Sequence, residues 1–228
     1  MSSPTPAPAP HSAAPLSLTE RRKAETRMQI ARAAAALFVR QGLRATRAED
    51  IAQSAGIAPR TFYRYFATKE EAVAPLYAAG AERWAQAVRL APAELSVPEA
   101  LEHAVRHTLT PGVGVSASSW EWVRTLIRLA DASPALGKVW AEVCHASERT
   151  LAEALGERLG SDGVDNVAGP PTELRFAAAV AAAAVRVAVE SWAAGEARPG
   201  GAEGPGALAL RHLAVLRDFP WGEVVGRG

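Results

Sequence analysis

The chain has 228 residues, 49% of them hydrophobic, and a formal net charge of +1. That length and apolar content suffice for one sizeable core or two small ones. No run of about 18 uncharged apolar residues is present. The nearest approach, residues 176–185, is ten residues of mostly Ala and Val, so no membrane span is expected. The single cysteine, Cys144, excludes an internal disulfide framework and a cysteine-rich metal site. The N-terminus lacks the basic flank and apolar core of a secretory signal, and a cytoplasmic location is expected.

Charge is distributed unevenly. Residues 20–70 carry eleven Arg/Lys against five Asp/Glu, a balance of +6, while the rest of the chain balances at −5. A basic module joined to an acidic remainder suits a polyanionic partner for the first part; the alternative is cations clustered by chance on a solvated surface. Residues 1–16 are rich in Pro, Ala and Ser and carry no charge, so 1–19 reads as an extended or disordered tail. Residues 161–171 and 195–206, rich in Gly and Pro, read as loops. Elsewhere the apolar spacing is helical and alternating β-branched runs are missing, which predicts an all-α fold of about nine helices.

Helix starts are well marked. Thr46/Glu49, Thr68/Glu71, Ser96/Glu99 and Ser118/Glu121 each place a hydroxyl three residues before a glutamate, the spacing of a capping box. Ser133-Pro134 and Thr172, which follows two prolines, mark further starts. Ile30, Ala31, Ala34, Leu37 and Phe38 form the first apolar stripe, and Gly42 ends that helix. The fourth helix carries Val73, Leu76, Tyr77, Gly80, Trp84 and Val88 but also Pro75. Two readings of Pro75 stand: it kinks the helix, or it ends the first turns early. Leu136, Trp140, Val143, Leu151 and Leu155 mark a long helix. Residues 174–192 are apolar nearly all round, so that helix needs cover on more than one side. A second subunit is the natural cover, and a homodimer is expected through Leu174, Ala178, Val185, Val189 and Trp192, with Leu213 and Leu216 from the last stripe, residues 208–219.

The sharpest signal is Thr46 to Phe66, T-R-A-E-D-I-A-Q-S-A-G-I-A-P-R-T-F-Y-R-Y-F. A short capped helix carries Ile51 and Ala52. Ala55-Gly56 turns the chain, with Gly56 free to take a positive φ. Ile57 plugs the angle, and Pro59 opens a second short helix. This is the outline of a helix-turn-helix. Phe62 and Phe66, four apart, anchor the second helix to a core. Arg60, Thr61, Tyr63, Arg64 and Tyr65 crowd its other surface. Arginine there can bond guanine O6 and N7, and hydroxyls or Lys69 can meet phosphates.

Residues 20–69 resemble the N-terminal domain of the TetR family. The matching runs are G-L-R-A-T, D-I-A-Q-S-A-G-I, R-T-F-Y-R-Y-F and T-K-E-E, after a long first helix with a Phe near its end. The resemblance implies a dimeric regulator that binds a double-stranded DNA operator, is released by a small-molecule effector and acts most often as a repressor. It also implies that Thr46, Arg60, Thr61, Tyr63, Tyr65 and Lys69 touch DNA. Ala48 and Ala58 depart from the family pattern; Ala58 leaves one free N–H at the recognition-helix cap without a side-chain partner. Residues 70–228 fit the family's effector-binding and dimerisation domain in the number and order of helices only.

For an effector pocket the candidates are Trp84, Trp120, Trp122 and Trp140 as aromatic lining, with Arg124, Arg128, His103 and His107 as polar groups. His103 and His107 also have metal-pair spacing, with Cys144 and His145 as further ligands; no metal is assigned and no cofactor is implied. The rival readings are an architectural DNA binder without a ligand and a helical enzyme. The sequence lacks H-E-x-x-H, G-x-S-x-G and a P-loop, and Gly112-Val113-Gly114 is too short for a phosphate loop.

Overall fold

A computed structural model describes residues 17–112, 117–159, 170–215 and 217. Among these the chain forms nine α-helices: α1 (Leu18–Gln41), α2 (Ala48–Ser54), α3 (Pro59–Tyr65), α4 (Ala74–Arg89), α5 (Val97–Leu109), α6 (Ala117–Ala132), α7 (Pro134–Arg158), α8 (Thr172–Ala194) and α9 (Pro205–Val215). A 3-10 turn, Glu71–Val73, precedes α4.

The caps follow local chemistry. At α1 the Ser17 hydroxyl accepts from the Glu20 N–H at 3.2 Å and the Glu20 carboxylate accepts from the Ser17 N–H at 2.9 Å, a box two residues inside the expected tail. Hydrogen bonds to the Glu20 carboxylate from the Ser17 hydroxyl and from the Ser17 N–H favour its charged form and hold it below the usual range; Glu99 is held down in the same way by Ser96. The Ser133 hydroxyl accepts from the Leu136 N–H, with Pro134 in the first turn of α7. At Thr68/Glu71 the hydroxyl caps as expected, but the carboxylate accepts from the Ala67 N–H instead. The Thr46/Glu49 box does not form. Thr46 is fully buried and donates to the Gly42 carbonyl, and Asp50 takes the capping bond from the Arg47 N–H. The Ser118 side chain lies outside the described residues.

Pro75 resolves towards the second reading. The 3-10 turn ends at Val73, and Pro75 occupies the first turn of α4, where a missing N–H leaves no bond unmade. Gly42 and Gly56 take φ of 85° and 68°, the left-handed region in which a Cβ is costly.

Packing joins the parts. α1, α2 and α3 close over Ile30, Phe38, Ile51, Phe62 and Phe66, and this core runs on without a break through Tyr77 into Trp120, Leu126, Leu136 and Trp192 of α6–α8. A second core lies between α4, α5, α7, α8 and α9 around Val88, Leu101, Leu151, Leu155, Leu174 and Ala178. Alanines on α8 let its neighbours approach closely. By length and composition alone α8 would cross a membrane, the one helix among the described residues that would. It packs instead on α6, α7 and α9 as the spine of this second unit.

Candidate nucleic-acid interface and internal cavity

α3 is held from behind. Phe62 is fully buried and Phe66 nearly so, with ring centroids 5.9 Å apart. Burying a Phe stabilises by about 1.5–3 kcal/mol, so these two rings fix the helix on its core. Its last turn is tied to α1: Arg27 donates from Nη1 to the Tyr65 carbonyl at 3.1 Å and lies 4.6 Å over the Phe66 ring. A cation at a helix C-terminus answers the unpaired carbonyls there. The N-terminal end has no such help, because Ala58 caps α3 without a side-chain bond.

The outer surface of α3 is free for a partner. Arg60, Tyr63 and Arg64 are exposed and Thr61 is half-buried. Arg60 makes no side-chain hydrogen bond, ion pair or ring contact among the described residues, and Arg64 lies 5.4 Å over the Tyr65 ring. The Tyr63 hydroxyl reaches Glu49 on α2 at 3.4 Å. Arg44 and Arg47, exposed in the loop before α2, extend the basic surface beyond α3. The Lys69 ammonium donates to the carbonyls of Leu43 and Thr46 at 2.7 and 2.8 Å. Two of its three N–H groups thus brace the loop between α1 and α2, and one is left for a phosphate.

A cavity of about 790 Å³ lies behind the reading unit, within the size range of small-molecule sites. Its wall comes from both units. α1 supplies Met28 and Arg32; α4 supplies Leu76, Tyr77, Gly80, Arg83 and Trp84. Opposite them stand Trp120, Trp122 and Leu126 of α6, Trp140 and Cys144 of α7, and Val185, Arg186 and Val189 of α8. Three of the aromatic rings, Tyr77, Trp120 and Trp140, are held by their neighbours. Tyr77 donates its hydroxyl to the Leu126 carbonyl at 3.0 Å, and Trp140 donates its indole N–H to Glu190 at 2.7 Å. Tyr77 and Trp140 meet edge to face at 5.0 Å, as do Trp120 and Trp192 at 5.4 Å. Burial pushes the Cys144 thiol up to about 12 and the Tyr77 hydroxyl up as well, so both stay neutral.

Residues 30–74 match the model for bacterial regulatory proteins of the tetR family, and residues 95–201 match that for the MftR C-terminal domain. The chain is 32% identical over 180 residues to the HTH-type transcriptional regulator TcmR of Streptomyces glaucescens, an alignment covering 77% of this chain and 76% of that protein. The chain belongs to the TetR family of DNA-binding transcription regulators. Solved structures share the family's fold. A TetR-family regulator from Mesorhizobium loti superposes with a TM-score of 0.53 at 20% identity, over 85% of this chain and 96% of that one. Thermus thermophilus FadR, a TetR-family repressor solved with lauroyl-CoA, gives 0.51 at 24% identity, over 83% and 92%.

Within this TetR-family fold several expected site residues sit elsewhere than the sequence suggested. Trp84, Trp120, Trp122 and Trp140 do line the cavity. Arg124 and Arg128 do not. Arg124 is buried, bonds the Ala197 carbonyl and lies 4.4 Å over the Trp192 ring. Arg128 bonds the carbonyls of Ala193 and Gly195 and pairs with Glu196. Arg128 thus answers free carbonyls at the end of α8, and Arg124 a carbonyl in the segment that follows it. His103 and His107 are exposed on α5, away from the cavity, and no group of metal-ligating side chains forms among the described residues. The arginines at the wall are Arg32, Arg83 and Arg186. Arg83 was detectable beside Trp84 on the cavity helix; Arg32 was hidden because its helix reads as part of the DNA unit.

The expected dimer residues also move. Leu174, Ala178, Trp192 and Leu213 are buried within the subunit, Trp192 with its N–H bonded to the Ala197 carbonyl at 3.0 Å. Val185 and Val189 line the cavity, and Leu216 lies outside the described residues. A helix rich in Ala is covered by its own neighbours on two sides, which hydrophobicity alone does not reveal. The apolar side chains that α8 still presents outward are Phe176 and Val187, with Ala183 half-buried between them.

Proposed function

We propose that this TetR-family regulator is a cytoplasmic repressor that reads a palindromic operator as a homodimer and releases it when a small molecule fills the cavity. The observation that carries the reading is α1. The same helix clamps the end of α3 through Arg27 and supplies Met28 and Arg32 to the cavity wall. A ligand that moves this wall moves the clamp, so occupancy and DNA affinity are coupled through one rigid element, and the coupling is reciprocal. The dimer uses the outward side of α8, with Val187 and Ala183 at its centre, together with α9. In the major groove Arg60, in the first turn of α3, contacts a base edge; Thr61, Tyr63 and Arg64 flank it, and Lys69, Arg44 and Arg47 meet phosphates.

The test is selection of bound genomic fragments followed by footprinting. The expected result is a two-fold symmetric site, protected by a dimer, whose affinity falls linearly with log salt by about 0.9 per neutralised phosphate. Arg60→Ala relaxes one position in each half-site. Protection without sequence preference would instead make the protein an architectural binder and refute the proposal.

A further inference from the structure

We propose that the cavity takes a fused-ring aromatic compound bearing a negative group, held between the indole and phenol rings of α4, α6 and α7 and neutralised by Arg32 and Arg83. The inference names the ligand class of the site described above and rests on that reading of the cavity as an effector site.

The wall offers rings and cations and little else. The polar atoms of Tyr77 and Trp140 are turned into the protein, onto the Leu126 carbonyl and Glu190, so the rings present carbon to the cavity. Two wall hydroxyls donate elsewhere too: Thr108 to the Ala104 carbonyl at 2.8 Å and Ser147 to the Cys144 carbonyl at 2.6 Å. Wall donors left without a partner among the described residues include the buried indole N–H groups of Trp84 and Trp120 and the two arginines Arg32 and Arg83, so a neutral polar ligand that does not reach them loses water bonds at a cost of about 1–3 kcal/mol per unmade bond. A flat ring system loses none and gains edge and face contacts with rings already fixed in orientation. A flexible acyl chain fits the same volume but has to freeze each of its torsions, which a rigid ring does not.

Charge selects further. Among the described residues no carboxylate lines the cavity. Arg186 is neutralised by Glu190 at 2.9 Å. Arg32 on α1 and Arg83 on α4 have no ion-pair or hydrogen-bond partner among the described residues, and these two helices pack on each other. Both cations reach the cavity wall from the solvent side. A carboxylate or phenolate on the ligand is the complement to that pair, and an arginine fork can bind a carboxylate through two parallel N–H groups. The anion draws Arg32 towards the ligand on the helix that clamps α3.

The experiment is calorimetric titration of the full chain with anthraquinone-2-carboxylate, the isosteric neutral anthraquinone-2-carboxamide, and dodecanoate. The carboxylate is expected to bind at least tenfold more tightly than either of the others. In an Arg32→Ala/Arg83→Ala variant its advantage over the carboxamide disappears while carboxamide binding stays the same. Both residues are exposed, and an unchanged melting temperature verifies the fold. Dodecanoate binding as tightly as the carboxylate, or an undiminished carboxylate preference in the double variant, overturns the proposal. Operator binding without ligand is measured on the same samples. A chain that protects its operator but prefers dodecanoate refutes this inference alone; a chain with no sequence preference refutes the regulator reading, whatever the cavity binds.

Discussion

Gly80 sits in the middle of α4 and lines the cavity, and a Cβ built there meets no atom within 4 Å. Glycine inside a helix costs about 0.5–1 kcal/mol relative to alanine, because the unfolded chain has more freedom to lose. Gly80→Ala therefore stabilises by that amount. For a chain of this size about 1 kcal/mol shifts the midpoint by roughly 2–4 °C, so a rise of about 1–4 °C is expected in thermal melting. Gly80→Leu goes further and places four carbons in the cavity itself. Operator affinity stays within about twofold of wild type, since α3 and Arg27 are untouched. Binding of the aromatic anion 1-anilinonaphthalene-8-sulfonate, followed by its fluorescence, weakens at least tenfold, equivalent to about 1.4 kcal/mol. A lowered midpoint for Gly80→Ala, or unweakened dye binding by Gly80→Leu, would refute the placement of Gly80 at an open cavity wall.

Four further outcomes are expected. Lys69→Ala lowers operator affinity and also loosens the loop between α1 and α2, because two carbonyls lose their donor; hydrogen exchange in residues 43–46 rises, and a loss of affinity without that rise would leave Lys69 a phosphate contact alone. Cys144 is burial-raised to about 12 and reacts slowly with a thiol reagent at pH 8, whereas rapid labelling of the folded protein would contradict its neutral, half-buried state. Val187→Glu puts a charge on the outward side of α8 and yields monomers by ultracentrifugation with an unchanged helical spectrum, while a persisting dimer would move the contact elsewhere. Glu20 and Glu99 lie below their ordinary range, so the stability they contribute is fully present above the ordinary glutamate value and is lost as pH falls through the lower folded-state value; Glu99→Gln should flatten the acid limb of the stability profile, and an identical limb would show that the box does not act through charge.

The reading unit was almost fully legible because its signals are local. Gly56, Pro59 and the Phe62/Phe66 pair each impose a conformation or a face within a few residues. The cap at Ser17 has the same S-x-x-E spacing, but it adjoins a proline-rich tail with no apolar periodicity before it. Thr46 misled in the opposite direction: a hydroxyl three residues before a glutamate looks like a cap, but complete burial turned it back onto the Gly42 carbonyl. The cavity was legible in its tryptophans and not in its arginines. Arg124 and Arg128 have the right spacing on the right helix, yet the end of α8 and the segment after it arrive from some 65–73 positions away to claim them. Contacts of that separation leave no periodic trace in the sequence. The outward side of α8 was equally hidden, since alanines count as apolar whether they face a neighbouring helix or solvent.

The position of α1 bears on how such regulators can be recombined. Consider a reading head exchanged for that of a relative, with the join placed at the end of the helix-turn-helix. In this protein a graft at residue 69 would bring in a foreign α1, and with it two positions of the cavity wall, 28 and 32. On the effector reading proposed above, the hybrid would change its chemical sensitivity along with its address. A graft that replaces only residues 43–69 keeps the native first helix, but it then has to preserve a carbonyl and a ring for Arg27 to hold at the end of the imported recognition helix.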